Sequence, residues 1–257
     1  MASDQGTGKG IESDGTLFDV VELLRELDGA GVTELADRLD VAKSTVHAHL
    51  TTLRDRGFAV KRAGEYELGL RFFEYGQYAR SRLEVVRSGV FAVDELEAET
   101  GEMVWLLTHQ HGKAIYVYGR AGDNAIDVNT ILGTWVHMHY NSGGKAILAH
   151  LPTPEAESII DTHGLPARTE QTITDRERLL AELGRIEDRG YALNLGEDLE
   201  GIHAVGVPLV VDGEVQGALS VAGPAHRMPR DRCEGPVLDR LRAATDEIGR
   251  ASCRERV

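Results

Sequence analysis

The sequence predicts an α+β protein: an N-terminal winged helix-turn-helix, a linker helix, and a C-terminal mixed α/β domain. Three observations carry this. Residues 31–57, GVTELADRLDVAKSTVHAHLTTLRDRG, read as two helices joined by a tight turn. The next stretch, FAVKRAGEYELGL, alternates as a short two-stranded ribbon turned at Ala63-Gly64. Beyond residue 100, segments of period two are interleaved with segments of period 3.6, the pattern of a sheet covered by helices.

Length and charge narrow the classes. The 257 residues suffice for one small and one medium domain. Hydrophobic residues make up 42%, with no apolar run near the roughly 18 residues of a membrane span. The start, MASDQGTGKGIESDG, is polar and has no apolar stretch of signal-peptide type, so residues 1–14 are expected to form a disordered tail and the protein to be cytoplasmic. Cys233 and Cys253 have the spacing of neither a disulfide framework nor a zinc site. The net charge is −14, of which residues 1–80 contribute −4 and residues 81–257 contribute −10. Lysine is confined to Lys9, Lys43, Lys61, Lys113 and Lys145. Arginine over lysine with pervasive carboxylates points to a proteome adapted to high salt, an ordinary acidic cytosolic protein being the alternative. Residues 43–62 invert the balance, with Lys43, Arg54, Arg56, Lys61 and Arg62 against Asp55 alone, as a DNA-facing patch would.

The elements follow in order. Residues 16–27 place Leu17, Val20, Val21, Leu24 and Leu27 on one helical face, and Ser13 or Asp14 would cap that helix. The second helix is expected from near Thr33, with Leu35, Ala36 and Leu39 inward. The third runs from about Lys43 to Arg56, and Gly57 ends it. Within it Val46, Leu50 and Leu53 fall at i, i+4 and i+7, while Ser44, Ala48, Thr51 and Asp55 point the opposite way, flanked by Thr45, His47 and Thr52. Small and hydroxyl-bearing side chains on the open face let such a helix sit deep in a major groove. Lys61 and Arg62 lie at the tip of the ribbon, where a neighbouring phosphate would lie.

Residues 70–83 form a linker helix whose Leu70, Phe73 and Tyr78 are candidates for a dimer contact or for packing on their own domain. A helix follows near 86–99, then paired strands in MVWLLTHQHG and KAIYVYGRAG, and a strand and loop over 125–140. SGGKAILAHL, TPEAESIIDTHG and DRERLLAELGRIEDRG give three helices, the last ended by Gly190. HAVGVPLVVD and EVQGALSVAG flank Asp212-Gly213, a strong hairpin signal, and a last helix starts at about Asp231.

Taken together, YELGLRFFEYG, HMHYNSGGKAILAHLP, TITDRERLLAELGRIEDRGYAL and ALSVAGP resemble the IclR family of transcriptional regulators, with the motifs in family order from about Leu17 to Ile248. The resemblance implies a homodimer or a dimer of dimers on a pseudo-palindromic double-stranded DNA operator. It also implies a GAF-like C-terminal domain holding a small metabolite, often an organic acid, a sugar acid or similar. The domains are then a winged module at 15–69, a linker helix at 70–83 and an effector-binding domain at 84–250. The expected DNA-contacting residues are Lys43, Ser44, Thr45, His47, Thr51, Arg54, Lys61 and Arg62, although Ser44 or Thr45 could instead cap the helix. Family members often carry Arg where this chain has Ala48, so His47 and Thr51 become the expected base contacts. The resemblance places the effector at Met138, Ser142, Gly143, Asn194, Ala204, Ser220 and Ala222. Asn194 stands where Asp is usual, and Ala204 where Cys is frequent.

Other chemistry is weighed against this. The start of the Ser142 helix is a candidate anion site, with capping by Asn141 or Ser142 as the alternative. GGKA fails as a phosphate-binding loop, since Ala146 follows Lys145 and His139 stands where the leading Gly belongs. His137, His139 and His203 could converge on zinc, but packing or hydrogen bonding is the reading taken, with no metal and no cofactor. No Ser, His and Asp sit in a motif that activates a nucleophile, so no catalysis is expected. A GAF-like binding protein or enzyme whose winged module serves oligomerisation remains the alternative. Finally, EIGRASCRERV at 247–257 is polar where the family has an apolar helix end, and it looks like the translation of a common sequencing-adapter oligonucleotide. The natural chain is expected to diverge near Glu247.

Overall fold

The computed structural model describes residues 11–122 and 131–254, with side chains as far as residue 250. The chain divides into two compact units, Met1–Ala79 and Arg80–Val257.

In the first unit α1 spans Glu12–Glu26, α2 Val32–Leu39 and α3 Lys43–Asp55, followed by strands β1 (Ala59–Arg62) and β2 (Glu65–Leu68). Helix α1 begins earlier than the capping signal indicated. Its N-cap is Ile11 with no side-chain bond, and Ser13 and Asp14 lie inside the first turn. Carboxylates at Glu12 and Asp14 favour that early start by facing the positive helix end. Of the residues assigned to the tail, 11–14 therefore belong to or cap a helix, and 1–10 lie outside the described residues. The core gathers Val20, Leu24, Leu35, Ala36, Val46, Leu50, Leu53, Ala59 and Tyr66. The i, i+4, i+7 face of α3 is thus buried as its spacing predicts.

The ribbon turns where expected. Ala63 (φ 49) and Gly64 (φ 101) both take positive φ, the conformation of a type I′ hairpin turn. Ala30 bridges to Tyr66 and adds a third short pairing to the wing. Helix α4 (Arg71–Ser81) buries none of its residues. Phe72 and Tyr75 lie against Phe58, with ring centroids 4.8 and 5.5 Å away, whereas Leu70 and Phe73 remain exposed.

The second unit is built on a six-stranded sheet of order β5-β4-β3-β8-β7-β6, every pair antiparallel. Its strands are β3 (Met103–Gln110), β4 (Lys113–Arg120), β5 (Trp135–His137), β6 (Ala192–Leu195), β7 (Ile202–Val211) and β8 (Glu214–Pro224). Helices α5 (Glu84–Thr100), α6 (Ser142–Leu148), α7 (Thr153–His163), α8 (Arg176–Arg189), α9 (Arg230–Arg232) and α10 (Leu238–Arg254) complete it. Of the strand and loop expected over 125–140, residues 135–137 are strand and 123–130 lie outside the described residues. Strand β6 escaped pattern analysis because Ala192, Leu193 and Asn194 are all buried and show no alternation. The last helix is not continuous from Asp231, because Gly235 (φ −108, ψ −111) and Pro236 break it into α9 and α10.

Alternation along the strands sends side chains to two cores. Val104, Leu106, Val205, Val207, Leu219 and Val221 meet α5 and α10 on one face. Met103, Trp105, Leu107, Ala204, Ala218 and Ala222 meet α6, α7 and α8 on the other. Ile248 of α10 belongs to the first core, so the helix still serves the packing one residue past Glu247. Among the described residues no helix is long and apolar enough to cross a membrane.

Candidate functional site

The exposed face of α3 carries Lys43, Ser44, Thr45, His47, Ala48 and Arg54, with Thr51 half-buried at its edge. The helix is capped by Ala42 with no side-chain bond, so neither Ser44 nor Thr45 serves as the N-cap. Their hydroxyls face outward from the first turn, together with Lys43. The positive patch is partly compensated. Arg54 donates to Asp55 at 3.0 Å, Arg62 lies 3.6 Å from Glu67, and the Lys61 ammonium sits 5.0 Å from the centre of the Tyr66 ring. The two ion pairs are at the surface, where such contacts are weak and exchange readily for phosphate. Arg71 closes α3 from behind, donating to the Arg56 carbonyl at 3.1 Å.

In the second unit, strand register builds a hollow. Met103, Ala222, Ala204 and Asn194 form one row across β3, β8, β7 and β6, and Trp105, Ser220, Gly206 and Ala192 form the next. Small residues at the centre of both rows leave space that the flanking Met103 and Trp105 do not fill. The result is a cavity of about 100 Å³ walled by Met103, Trp105, Tyr116, Ile131, Asn141, Ser142, Asn194, Asp198, Leu199, Ile202, Ala204, Ser220 and Ala222. Trp105 and Tyr116 meet edge to face, 5.1 Å between centroids. Helix α6 comes down onto the sheet at Gly206, where an added Cβ would stand 2.7 Å from the Ser142 backbone. That approach brings the Ser142 hydroxyl within 2.8 Å of Ser220.

Most polar groups of the wall are already committed. Asn141 accepts from the Gly144 N–H at 3.0 Å and donates to the Tyr116 hydroxyl. Asn141 is thus the cap of α6, where it takes up the Gly144 N–H. Asn194 donates to the Tyr140 carbonyl at 3.1 Å and accepts from the Glu197 N–H at 2.7 Å. Asp198 accepts from Arg168 at 3.3 Å. Burial pushes the Asp198 carboxyl up, and Arg168 pulls it part of the way back. Burial, reinforced by the Asp198 charge, also pushes the Tyr116 phenol up, so it stays protonated and can donate.

Of the residues expected around an effector, Ser142, Asn194, Ala204, Ser220 and Ala222 line this cavity. Met138 and Gly143 do not. Met138 is packed behind α6, where the Gly144 Cβ position abuts its backbone, and the Cβ position of Gly143 faces Leu107. Reading the sequence missed Met103, Trp105, Tyr116, Ile131, Asn141, Asp198, Leu199 and Ile202. The histidines do not converge as a trio. His137 and His139 are 5.7 Å apart between ring centres, while His203 turns away to the Met228 carbonyl at 2.9 Å. Among the described residues no three His, Cys, Asp or Glu side chains are grouped to hold a metal. Cys233 is buried, and burial raises its thiol to about 11.

Comparison with known proteins accounts for both units. The family model for the IclR helix-turn-helix domain matches residues 17–63, and that for the bacterial transcriptional regulator IclR C-terminal domain matches residues 77–250. The chain is 30% identical over 241 residues to the probable HTH-type transcriptional regulator ArcR of Halobacterium salinarum, covering 92% of each protein. It resembles the IclR crystal structure from Thermotoga maritima with a TM-score of 0.77 and 25% identity, over 94% of this chain and 98% of the other. A similar fold occurs in an IclR homologue from Microbacterium hydrocarbonoxydans crystallised with 4-hydroxybenzoate, with a TM-score of 0.78 and 21% identity over 93% and 99% of the two chains.

Proposed function

The chain belongs to the IclR family of transcriptional regulators, and from that premise we propose how its two units divide the work. It is a DNA-binding regulator with a C-terminal effector-binding domain. The output is α3: Lys43, Ser44 and Thr45 hold phosphates, His47 and Thr51 meet base edges, and Arg54, Lys61 and Arg62 hold the flanking backbone. The input is the cavity beneath α6, which takes a small catabolic metabolite; the relative bound to 4-hydroxybenzoate supports a ligand of that scale. Organic and sugar acids are the class the family resemblance brings forward.

The observation that carries this reading is the cavity itself. Its wall includes Asp198 and Leu199 from the loop after β6 and Ser142 from α6, and that loop is tied to α6 by the buried pair Lys145–Glu197 at 2.5 Å. A ligand that shifts the loop therefore shifts α6. The protein works as a cytoplasmic homodimer or dimer of dimers, using the exposed Leu70 before α4 and Phe73 within it. Winged modules set on half-sites about 34 Å apart, or a multiple, would then gain or lose joint contact. Ser142 and Ser220 hydrogen-bond to each other, which supports a binding role for this wall.

The test is selection of bound fragments from a genomic DNA pool, followed by anisotropy titration of the selected site with and without candidate metabolites in molar KCl. A metabolite that changes operator affinity supports the reading. Absence of any selected site overturns it in favour of a winged module used for oligomerisation.

A further inference from the structure

A β-bulge stands between the cavity and the end of α4. Strand β3 pairs Leu106 with Tyr118 and Leu107 with Tyr116, so Val117 is an extra residue with no partner opposite. On the other side β5 pairs with β4 only over Lys113–Ile115 and stops short of it. The bulge turns consecutive side chains to uneven faces. Tyr116 looks into the cavity, whereas Val117 and Tyr118 both join the core shared with α5 and α10. The carbonyl of the unpaired Val117 accepts from the Arg80 guanidinium at 2.5 Å. The same guanidinium lies 5.4 Å from the centre of the Tyr118 ring, whose hydroxyl donates to Asp94 of α5 at 2.8 Å. Arg80 is in the last turn of α4, and it and Phe72 are the two residues of that helix that are not exposed.

This arrangement makes the link selective. A carbonyl inside a ladder is held by the neighbouring strand and moves only with the sheet. The Val117 carbonyl sits where the strand bends, and a charged donor holds it in a bond about twice as strong as a neutral one. Tyr116, one residue away, is the ring that a ligand would displace: it meets Trp105 edge to face and accepts from the Asn141 amide. We propose that Arg80 is the positioning residue that couples occupancy of the cavity to α4, because the bulge passes a movement of Tyr116 to the carbonyl that Arg80 holds. The direction of the signal rests on the effector reading above; the link itself does not. Coupling between sites is reciprocal, so DNA held by α3 must alter Tyr116–Tyr118 through the same residue.

The test works from the DNA end and needs no known effector. Full-length protein is compared with and without the fragment it selects from genomic DNA, by hydrogen–deuterium exchange read on peptides covering Lys113–Arg120. In wild type, DNA should change exchange at Tyr116–Tyr118 about fivefold or more. In Arg80→Gln the fragment should still bind while the change shrinks below about twofold. Arg80→Lys, which keeps a charged donor, should restore part of it. Arg120→Gln is the control for a merely structural role, since Arg120 lies 5.5 Å from the same ring and pairs with Asp94 without belonging to α4. It should transmit as wild type does. Full transmission in Arg80→Gln overturns the proposal, and so does an equal loss in Arg120→Gln. If Arg80→Gln does not fold, Tyr118→Leu, which removes the ring beneath the guanidinium, must reduce the change, and full transmission there overturns the proposal. Wild type that binds the fragment with no change in β4 overturns the proposal alone and leaves the DNA-binding reading standing. A chain that selects no fragment overturns that reading, and the proposal with it.

Discussion

The Lys145 ammonium lies 2.5 Å from the Glu197 carboxylate with only 1% of the lysine side chain exposed, so a fully buried cation on α6 holds the loop that walls the cavity. Burial pushes the lysine down and the glutamate up, because each loses water, and each charge is what makes the other tolerable. Removing one partner leaves the other desolvated and alone. Lys145→Met is therefore expected to cost about 3 kcal/mol or more in urea unfolding, with Glu197→Gln close behind. Lys145→Met combined with Glu197→Leu should recover most of that loss, since a well-packed apolar pair avoids the desolvation. A double variant whose losses simply add would show that the pair is not the source of the cost.

Gly206 is the contact on which α6 rests. An added Cβ would stand 2.7 Å from the Ser142 carbonyl carbon and 2.8 Å from the Gly143 nitrogen, both backbone atoms that cannot rotate aside. Gly206→Ala is expected to destabilise by about 1–3 kcal/mol through overpacking, and to part Ser142 from Ser220 as α6 lifts. Ligand-induced thermal shift should shrink along with the melting temperature. Gly184→Ala is the comparison, since nothing lies within 4 Å of its Cβ position and it should be neutral or slightly stabilising.

Glu102 sets a pH dependence. Its carboxylate is buried at 3% exposure and accepts from Arg227 at 2.8 Å and Arg232 at 2.9 Å. Burial alone would raise this carboxyl, but the bonds and charges of the two arginines outweigh it and hold the group below the ordinary range. A carboxyl depressed in the folded state contributes stability that is complete above its unfolded pKa of about 4.3. That stability is lost as pH falls through the lower folded value. Glu102→Gln should be less stable than wild type by about 2 kcal/mol at pH 7. Melting curves from pH 7 to 3 should bring the two proteins together only at the acid end; a constant gap would assign the effect to packing instead.

Much of this is open to reading from spacing alone, and the exceptions lie where no local period or cap marks the chain. The core face of α3, the Ala63-Gly64 and Asp212-Gly213 turns and the inward residues of β7 and β8 follow from local periodicity and turn chemistry. The start of α1 does not, because no side chain caps it; the break before α10 comes from Gly235-Pro236, inside an otherwise helical stretch. In the cavity, Ser220 and Ala222 share a face by alternation, and five of the expected residues do line it. Trp105 and Tyr116 come together only through the β3–β4 register, which shifts between Leu106 and Leu107. Asp198 reaches the wall from an irregular loop with no period to read. Two-residue alternation puts His203 on the face opposite Ala204, where it meets the Met228 carbonyl.

The DNA-reading surface makes its own prediction about salt. Lys43 starts α3, and Arg62 stands at the wing tip with 73% of its side chain exposed. If both neutralise phosphates, Lys43→Gln and Arg62→Gln should each weaken operator binding and make the slope of log affinity against log salt shallower by about 0.9. The Arg62–Glu67 contact at 3.6 Å is at the surface and adds little to stability, so Arg62→Gln should leave the melting temperature within about 2 °C. Thr51→Ala should behave differently, relaxing discrimination between operator and altered sites while leaving the slope unchanged, because a base contact releases no counterion. The measurement is anisotropy at several KCl concentrations for each variant. Unchanged slopes in Lys43→Gln and Arg62→Gln would remove these two residues from the phosphate contacts and return the winged module to a role in assembly.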